Sequence, residues 1–503
     1  MCVPACQAAT ANMSSVGCDY YSAPPGQFVF DGLAFPTDYC FAAFVANTWG
    51  TPLTVGVDYD ATTLDVSTFA VLPQGSGSTL TYAPLPGGQV PAGQVAILFL
   101  ASTTSTCPGN TVPAVARNAE VVGTAKGSAF HITTSVPAVV YDMFPYGGAA
   151  SAITSATLLL PTSVWDVNYV AVDGYAASTA AMGAQPFTQI VASMDGTTVS
   201  ILPSAAIVGG TGVAASSAGV TQTYALEKGE LLQLAQDAEL IGSVITANNP
   251  IGVWGGDTCM NIDVGEVACD SAHQELFPVK ALGHEYVAAR YRDRVTGSVE
   301  SVPWHIVGAV DGTNLTYDPP TPPAGAPIAL TSGQVALFDA SSTFVVRSQD
   351  AQHPFYLSGH MTGWGHLASN PGQQGDPEFV NAIPPQQYLE NYVFFTDPTY
   401  ANTNLVFIRQ KNSGGTFDSV TLDCAGVIAG WKPVGSGSYE VALLDVAVSG
   451  AAQGACNNGR HEAKSATPFG LTVWGWDTAV SYAYPAGASV QQLSTVVVPS
   501  TPK

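Results

Sequence analysis

The sequence predicts an all-β protein of tandem β-sandwich-like modules, with disulfide-bracketed loops and little helix. Three observations carry this: short alternating strand patterns recur along the chain, Asp-Gly turn signals separate them, and charged residues are scarce. Charged side chains make up 10% of the 503 residues, against roughly 25% in an average soluble domain. A surface built from Thr, Ser, Gly, Gln and Asn suits strands and turns, whereas solvent-facing helices want Glu, Lys and Arg.

A chain of this length divides into more than one unit with its own core, and internal similarity sets the divisions. Residues 1–25 read as a Cys- and Ala-rich lead-in. The first β-rich module, 26–150, carries CFAAFVANTWGTPLTVGVDYD at 40–60, QVAILFL at 94–100 and FHITTSVPAVVYDMFPYGG at 130–148. The second, 151–275, carries VNYVAVDGYA from 167, FTQIVASMDGTTVSILP at 187–203 and KGELLQLAQDAELIGSVITANNPIGVWGGD at 228–257. The third, 276–380, repeats these as HEYVAARYRDR, WHIVGAVDGTNLTYDP and SGQVALFDASSTFVVRSQDAQHPFYLSGHMTG. The fourth, 381–490, reads ENYVFFTDPTY, NLVFIRQKNSGGTFDSVTLD, SGSYEVALLDVAVSG and ATPFGLTVWGWDTAVSYAYPAG. Residues 491–503 form a C-terminal strand or tail. Tyr169, Tyr286 and Tyr392 hold the same place in the repeated phrase, 117 and 106 residues apart, the size of one β-sandwich domain.

Strand chemistry supports each phrase. Asp195-Gly196 and Asp311-Gly312 supply tight-turn signals between alternating apolar runs, which predicts hairpins. Proline ends the returning strands because it cannot donate a ladder hydrogen bond. The stretch 227–240 has some helical periodicity, but Gly229 aligns with Gly333, beyond which β-branched residues follow, so both are read as strand pairs.

The charge balance limits the partners. With 14 Lys plus Arg against 37 Asp plus Glu, the formal charge is −23, which excludes nucleic acid as the expected partner. Arg290, Arg292 and Arg294 alternate and would share one face of a strand, as a surface ladder or partner contact. No stretch has the 18 or more apolar residues of a membrane span. The given sequence opens Met1-Cys2 with no basic start or apolar run, so export would make it a mature or truncated form, with Cys2 a candidate lipid anchor.

Nine cysteines include no CxxC pair, which leaves zinc-ribbon and thioredoxin-like spacing absent. Cys259 and Cys269 bracket the loop MNIDVGEVA, and Cys424 and Cys456 bracket a longer excursion. Both pairs are disulfide candidates in an oxidising compartment, as are Cys40 and Cys107.

Candidate chemistry is sparse. His273, Glu275, His284 and Glu285 have metal-ligand residue types but not the i,i+4 spacing of HExxH. Asp257, Asp263, Glu266 and Asp270 crowd one short loop, where nothing marks an acid and a base for glycoside hydrolysis. Asp257, Asp263 and Asp270 are instead candidates to hold calcium through hard oxygen ligands; no other cofactor is expected. His353, His360 and His366 read as loop histidines. Neither GxSxG nor a phosphate-binding loop ending in GK occurs. Trp254, Tyr356 and Trp364, near the ends of repeated strands, are the recognition candidates, while Trp474, Trp476, Tyr482 and Tyr484 read as packing.

These residues resemble the IgGFc-binding-protein N-terminal-like family, including its bacterial surface members of the myxobacterial kind. The resemblance runs from Gly17, Cys18, Asp19 and Tyr20 through Ser135, Pro137, Val140, Tyr141 and Pro145. It continues through Cys259, Cys269, His273, Glu275, Leu276, Pro278, Gly283 and Tyr286 to Gly470, Gly475, Ser481, Tyr482, Tyr484, Pro485 and Gly487. It implies an extracellular protein of β-rich modules without known catalytic residues. The expected function is a non-enzymatic adhesion or recognition scaffold for a protein or glycan at the outer cell surface. The alternative is a self-associating subunit of a filament or coat, and the third reading is a carbohydrate-active hydrolase.

Overall fold

Four prolines, Pro137, Pro250, Pro354 and Pro468, mark the points about which the chain is organised. The structure is a computed structural model that describes residues 3–501 apart from 31–32, 36–38, 152, 178–182, 263–267 and 368. After a short helix, α1 (Ala5–Asn12), come β1 (Val16–Ser22), β2 (Cys40–Ala46), β3 (Leu53–Tyr59), β4 (Val95–Ala101), β5 (Phe130–Tyr146) and β6 (Ser155–Leu159). The first half of the long strand β5 pairs with β1 and β3. Its second half pairs with β2 and β6, and β4 extends the sheet beyond β2. Pro137 sits between the two halves, where a missing N–H costs no ladder bond.

The same plan returns three times. It recurs in β7 (Asp166–Val170), β8 (Pro186–Ala192), β9 (Thr197–Leu202), β10 (Glu230–Ala235), β11 (Val244–Met260) and β12 (Asp270–Glu275). Here β11 is the long strand, flanked by β7 and β9 before Pro250 and by β8 and β12 after it. The third set is β13 (Glu285–Ala288), β14 (Val302–Gly308), β15 (Thr316–Asp318), β16 (Val335–Ala340), β17 (Phe344–Arg347), β18 (Phe355–Met361) and β19 (Glu378–Asn381). Its long strand is broken at SQDAQHP into β17 and β18, which places these seven strands in two separate sheets, beside a short ribbon of 313–314 with 329–330. The fourth is β20 (Leu389–Phe395), β21 (Asn402–Gln410), β22 (Val420–Leu422), β23 (Tyr439–Val448), β24 (Arg460–Asp477) and β25 (Val480–Pro485). The stretch 227–240, ambiguous in sequence, is strand over Glu230–Ala235.

One tyrosine pins each bend in the same way. The buried hydroxyls of Tyr20, Tyr169, Tyr286 and Tyr392 donate to the carbonyls of Ala138, Ile251, Phe355 and Phe469, each one residue past the proline. They accept from the N–H of Gly17, Asp166, Gly283 and Leu389, each three residues before the tyrosine. Tyr20 is thus the first-module counterpart of the three tyrosines aligned in sequence. It lies inside the stretch read as a lead-in, which folds as an integral strand of the first sheet system.

The closing strands of the four modules meet at a shared centre. β6 packs on β12 and β25, and β19 also packs on β12 and β25, so the four close a circuit. Hydrogen bonds run across every junction of this ring. Asp270 accepts from the N–H of Thr154 (2.7 Å) and of Ser481 (2.7 Å). Gln274 Nε2 donates to Ala156 O and Ala483 O. Asn381 donates to Glu275 O, and Ser481 Oγ donates to Asp376 O. A continuous hydrophobic core runs from Tyr20 to Val498 through all four sheet systems. The modules therefore fold against one another rather than standing as beads on a string.

Disulfides join Cys6–Cys18, Cys40–Cys107, Cys259–Cys269 and Cys424–Cys456; Cys2 lies outside the described residues.

Two local expectations are corrected. Residues 290–294 follow β13 as irregular chain, and each arginine has its own anchor. Arg294 is fully buried in an ion pair with Glu300 (2.6 Å), which also accepts from the Tyr291 hydroxyl. Arg292 pairs with Asp445 and lies 4.7 Å over the Trp476 ring, and Arg290 pairs with Asp293. The segment 491–501 contains no strand and crosses the surface as irregular chain. It is held by Leu493 and Ser494 N–H donating to Lys280 O and by Val498 N–H donating to Asn168 Oδ1.

Candidate recognition site

Packing modules side by side leaves open grooves at their joints. The one between the first and second modules has a volume of about 640 Å³ and is lined by Tyr21, Asp58, Tyr59, Asp60, His131, Asp195, Glu227, Lys228 and Glu230, among others. Its first wall comes from β1, β3 and β5, whose alternation turns Tyr21, Asp58 and His131 to one side. Its second wall is the turn after β8 and the Glu227–Glu230 turn that leads into β10.

The groove is acidic and has an aromatic floor. Tyr21 stacks on His131 with centroids 4.6 Å apart, and His131 bridges Asp19 (3.2 Å) and Asp58 (3.6 Å). Asp60 takes the Arg117 guanidinium at 2.7 Å, and that guanidinium lies 5.4 Å over the Tyr59 ring. Asp195 accepts from the Lys228 N–H and Glu227 from the Gly196 N–H, which tie the two turns of the second wall together. The Tyr21 side chain is 1% exposed and its hydroxyl has no hydrogen-bond partner. Burial, with Asp19, Asp58 and Asp195 adding to it, holds that phenol well above its ordinary range. A groove walled by carboxylates suits a ligand that brings positive charge. Two further open grooves lie at other joints, one of about 450 Å³ beside Gly242, Gly333 and Pro499, and one of about 700 Å³ beside Asn12, Gln386 and Glu390.

The sequence candidates fall elsewhere. Trp254 is fully buried, edge-on to Trp165 and stacked over His273, and Tyr356 is 4% exposed with its hydroxyl on Asn381. Neither faces solvent, so both are corrected from recognition candidates to packing residues. Trp364 is half-buried on the short turn Trp364–His366, beneath which Asn370 donates to its carbonyl.

Of the calcium candidates, Asp263 lies outside the described residues, as does Glu266 of the proposed acidic pair. Asp257 and Asp270 are both buried. Asp257 accepts from the Cys259 N–H at 2.8 Å, and burial pushes its carboxyl up to about 8. Asp270 spends both oxygens on Thr154 and Ser481, and burial, with Asp376 nearby, raises it well above the usual carboxylate range. Asp270 thus has both carboxylate oxygens engaged within the fold, and Asp257 has its Oδ1 engaged.

His273 and Glu275 are also interior. Burial lowers His273 to about 3, and Glu275 accepts from Leu160 N–H and Trp165 Nε1. Asp423, Cys424 and His461 lie close enough to suggest a metal cluster, but the Cys424 sulfur is in a disulfide and Asp423 is taken up by His461 and Arg460.

Fold and grooves together define a disulfide-stapled, multi-module all-β scaffold whose surface concavities lie where modules meet. The chain belongs to the family described as IgGFc binding protein, whose model matches residues 155–475, more than half of the chain. It is similar to the IgGFc-binding protein of Homo sapiens, 24% identical over 287 residues, which is 56% of this chain and 5% of that protein. Among solved structures it was compared with an anti-sigma factor domain-containing protein from Clostridium clariflavum. That match has 9% identity, covers 86% of this chain and 98% of that one, and has a TM-score of 0.13. The C-terminal domain of the Streptococcus agalactiae AgI/II polypeptide BspA covers 73% and 93% at 10% identity, with a TM-score of 0.11. At such scores neither structure bears on the fold or the function. Among the described residues no helix is long and apolar enough to cross a membrane.

Proposed function

We propose that this chain is a non-enzymatic extracellular recognition scaffold that binds a protein partner through a cationic segment laid in the acidic groove between its first two modules. The observation that carries the reading is that groove: Asp58, Asp60, Asp195, Glu227 and Glu230 converge on a concavity floored by Tyr21 and Tyr59. A surface this acidic speeds encounter with a basic partner. Four disulfides suit an oxidising, extracellular setting, and the bacterial surface kinship read from the motifs belongs to this same proposal. The carboxylates nearest a hydrolase-like arrangement, Asp257, Asp270 and Glu275, are interior and hydrogen-bonded, which favours recognition over turnover.

The test is a binding screen of the oxidised chain against peptide and glycan arrays at low and high salt, repeated with Asp58→Asn/Glu227→Gln. Basic peptides should be captured, lose about tenfold in affinity on moving from roughly 0.05 to 0.3 M salt, and be released by the double variant. Capture of neutral glycans alone, or equal binding by the variant, refutes the groove as the site.

A further inference from the structure

Two histidines at the joint between the second and third modules are buried in a way that the packing does not explain. His305 on β14 and His360 on β18 are 1% and 0% exposed. Their rings lie 4.2 Å apart between centroids at an interplanar angle of 41°. The strands on which they lie are neighbours: His305 stands opposite Ser358, two residues from His360. Tyr175, from the chain after β7, sits on both rings at 4.6 and 5.5 Å, and Phe379 stacks on His360. Met260, at the end of β11, packs with Phe379 and Tyr175 in a small cluster separate from the main core.

A neutral imidazole carries one N–H donor and one lone pair, and interior polar groups normally find partners. Here both ring nitrogens of His305 and Nδ1 of His360 have none. Nε2 of His360 alone is engaged, with Ser358 Oγ at 3.1 Å. Three ring nitrogens on two neighbouring strands are thus left without partners, and the other face of those strands is ordinary core: Trp304, next to His305, packs on Phe344.

We propose that His305 and His360 form a buried site for one late first-row divalent transition ion of the zinc, copper or nickel kind. Imidazole suits these ions, and binding needs the neutral ring. Two imidazoles on one tetrahedral ion at metal–nitrogen distances of about 2.0–2.1 Å put their centroids on the order of 5 Å apart. The observed pair, at 4.2 Å, stands within about 1 Å of that separation.

The test loads the full oxidised chain, stripped with chelator, with one equivalent of Zn²⁺, Cu²⁺ or Ni²⁺ in turn. Metal that survives gel filtration is counted by mass spectrometry. One ion per chain should be retained for at least one metal, with a rise in Tm of several degrees over the stripped protein. The copper form should show hyperfine coupling to two imidazole nitrogens in its electron paramagnetic resonance spectrum. His305→Phe and His360→Phe should each reduce retention at least tenfold. Because either ring could be needed for packing, the stripped variants are also melted: a Tm equal to or above that of the stripped parent shows an intact fold. His305→Gln serves as a second variant if Phe does not fit. Failure to retain any of the three ions overturns the site. Retention that is unchanged in folded variants, or copper without two-nitrogen coupling, assigns the ion elsewhere and overturns it equally.

Discussion

Replacing Tyr286 by Phe removes one oxygen from the interior and tests the device on which the whole architecture is repeated. The Tyr286 hydroxyl donates to Phe355 O at 2.8 Å and accepts from Gly283 N–H at 2.9 Å, in a residue 1% exposed. Phe fills the same ring volume, so no cavity term enters. The Gly283 N–H is left buried without an acceptor, and Phe355 O loses one of its donors. An orphaned buried group costs about 1–3 kcal/mol, so the variant should lose about 2–3 kcal/mol. The same sum applies to Tyr20, Tyr169 and Tyr392, because each makes the equivalent pair of bonds. Urea titration of the oxidised chain, followed by tryptophan fluorescence and circular dichroism, reads the four variants side by side. Tyr20 is the discriminating one, since it assigns the N-terminal strand to the first module. A cost below about 0.5 kcal/mol for Tyr20→Phe, with about 2 kcal/mol for the others, would refute the four-fold equivalence.

Three further outcomes are expected. Glu300→Gln should cost about 3–5 kcal/mol, because it strands the buried Arg294 charge, whereas Arg290→Ala, nearer the surface, should stay within about 1 kcal/mol; urea midpoints check both. Burial holds the Asp257 carboxyl at about 8, above the ordinary unfolded value of about 3.9. Its contribution is therefore fully present below about pH 4 and is lost as pH rises through about 8, so wild-type stability should fall between pH 5 and pH 8. Asp257→Asn should flatten that slope by up to about 1.4 kcal/mol per pH unit in urea titrations across this range. Cys40→Ser/Cys107→Ser opens the longest disulfide loop, 67 residues in separation, and should lower stability by about 4 kcal/mol on the chain-entropy account.

The repeated strands were legible because their signal is local. Alternation and Asp-Gly turns mark the hairpins, and Tyr169, Tyr286 and Tyr392 stand at matching places in one phrase. Tyr20 escaped because its partner strand begins more than a hundred residues later, and no local pattern links VGCDYYS to FHITTSV. Trp254 and Tyr356 read as exposed anchors because each lies near the end of a repeated phrase. Partners distant in sequence cover each within its own module: Trp165 and His273 pack on Trp254, and Asn381 of β19 meets the Tyr356 hydroxyl. The acidic groove was likewise illegible, since Asp58 on β3 and Asp195 and Glu227 on two turns meet only once two modules pack. Charge composition announced an acidic surface without locating it. Asp270 looked like a metal ligand because a carboxylate in a cysteine-bracketed loop has that residue type. Its actual partners, Thr154 and Ser481, come from the first and fourth modules.

Native-state hydrogen exchange at the ring centre tests most directly whether four modules form one cooperative body. The amides of Thr154 and Ser481, both bound to Asp270, and of Leu160, bound to Glu275, belong to different modules from their acceptors. The account predicts that all three exchange only with global unfolding, at the same free energy as the slowest amides of β5, β11, β18 and β24. Exchange of these amides far faster than those strands, or four separate opening free energies, would show that the modules stand alone and would contradict it.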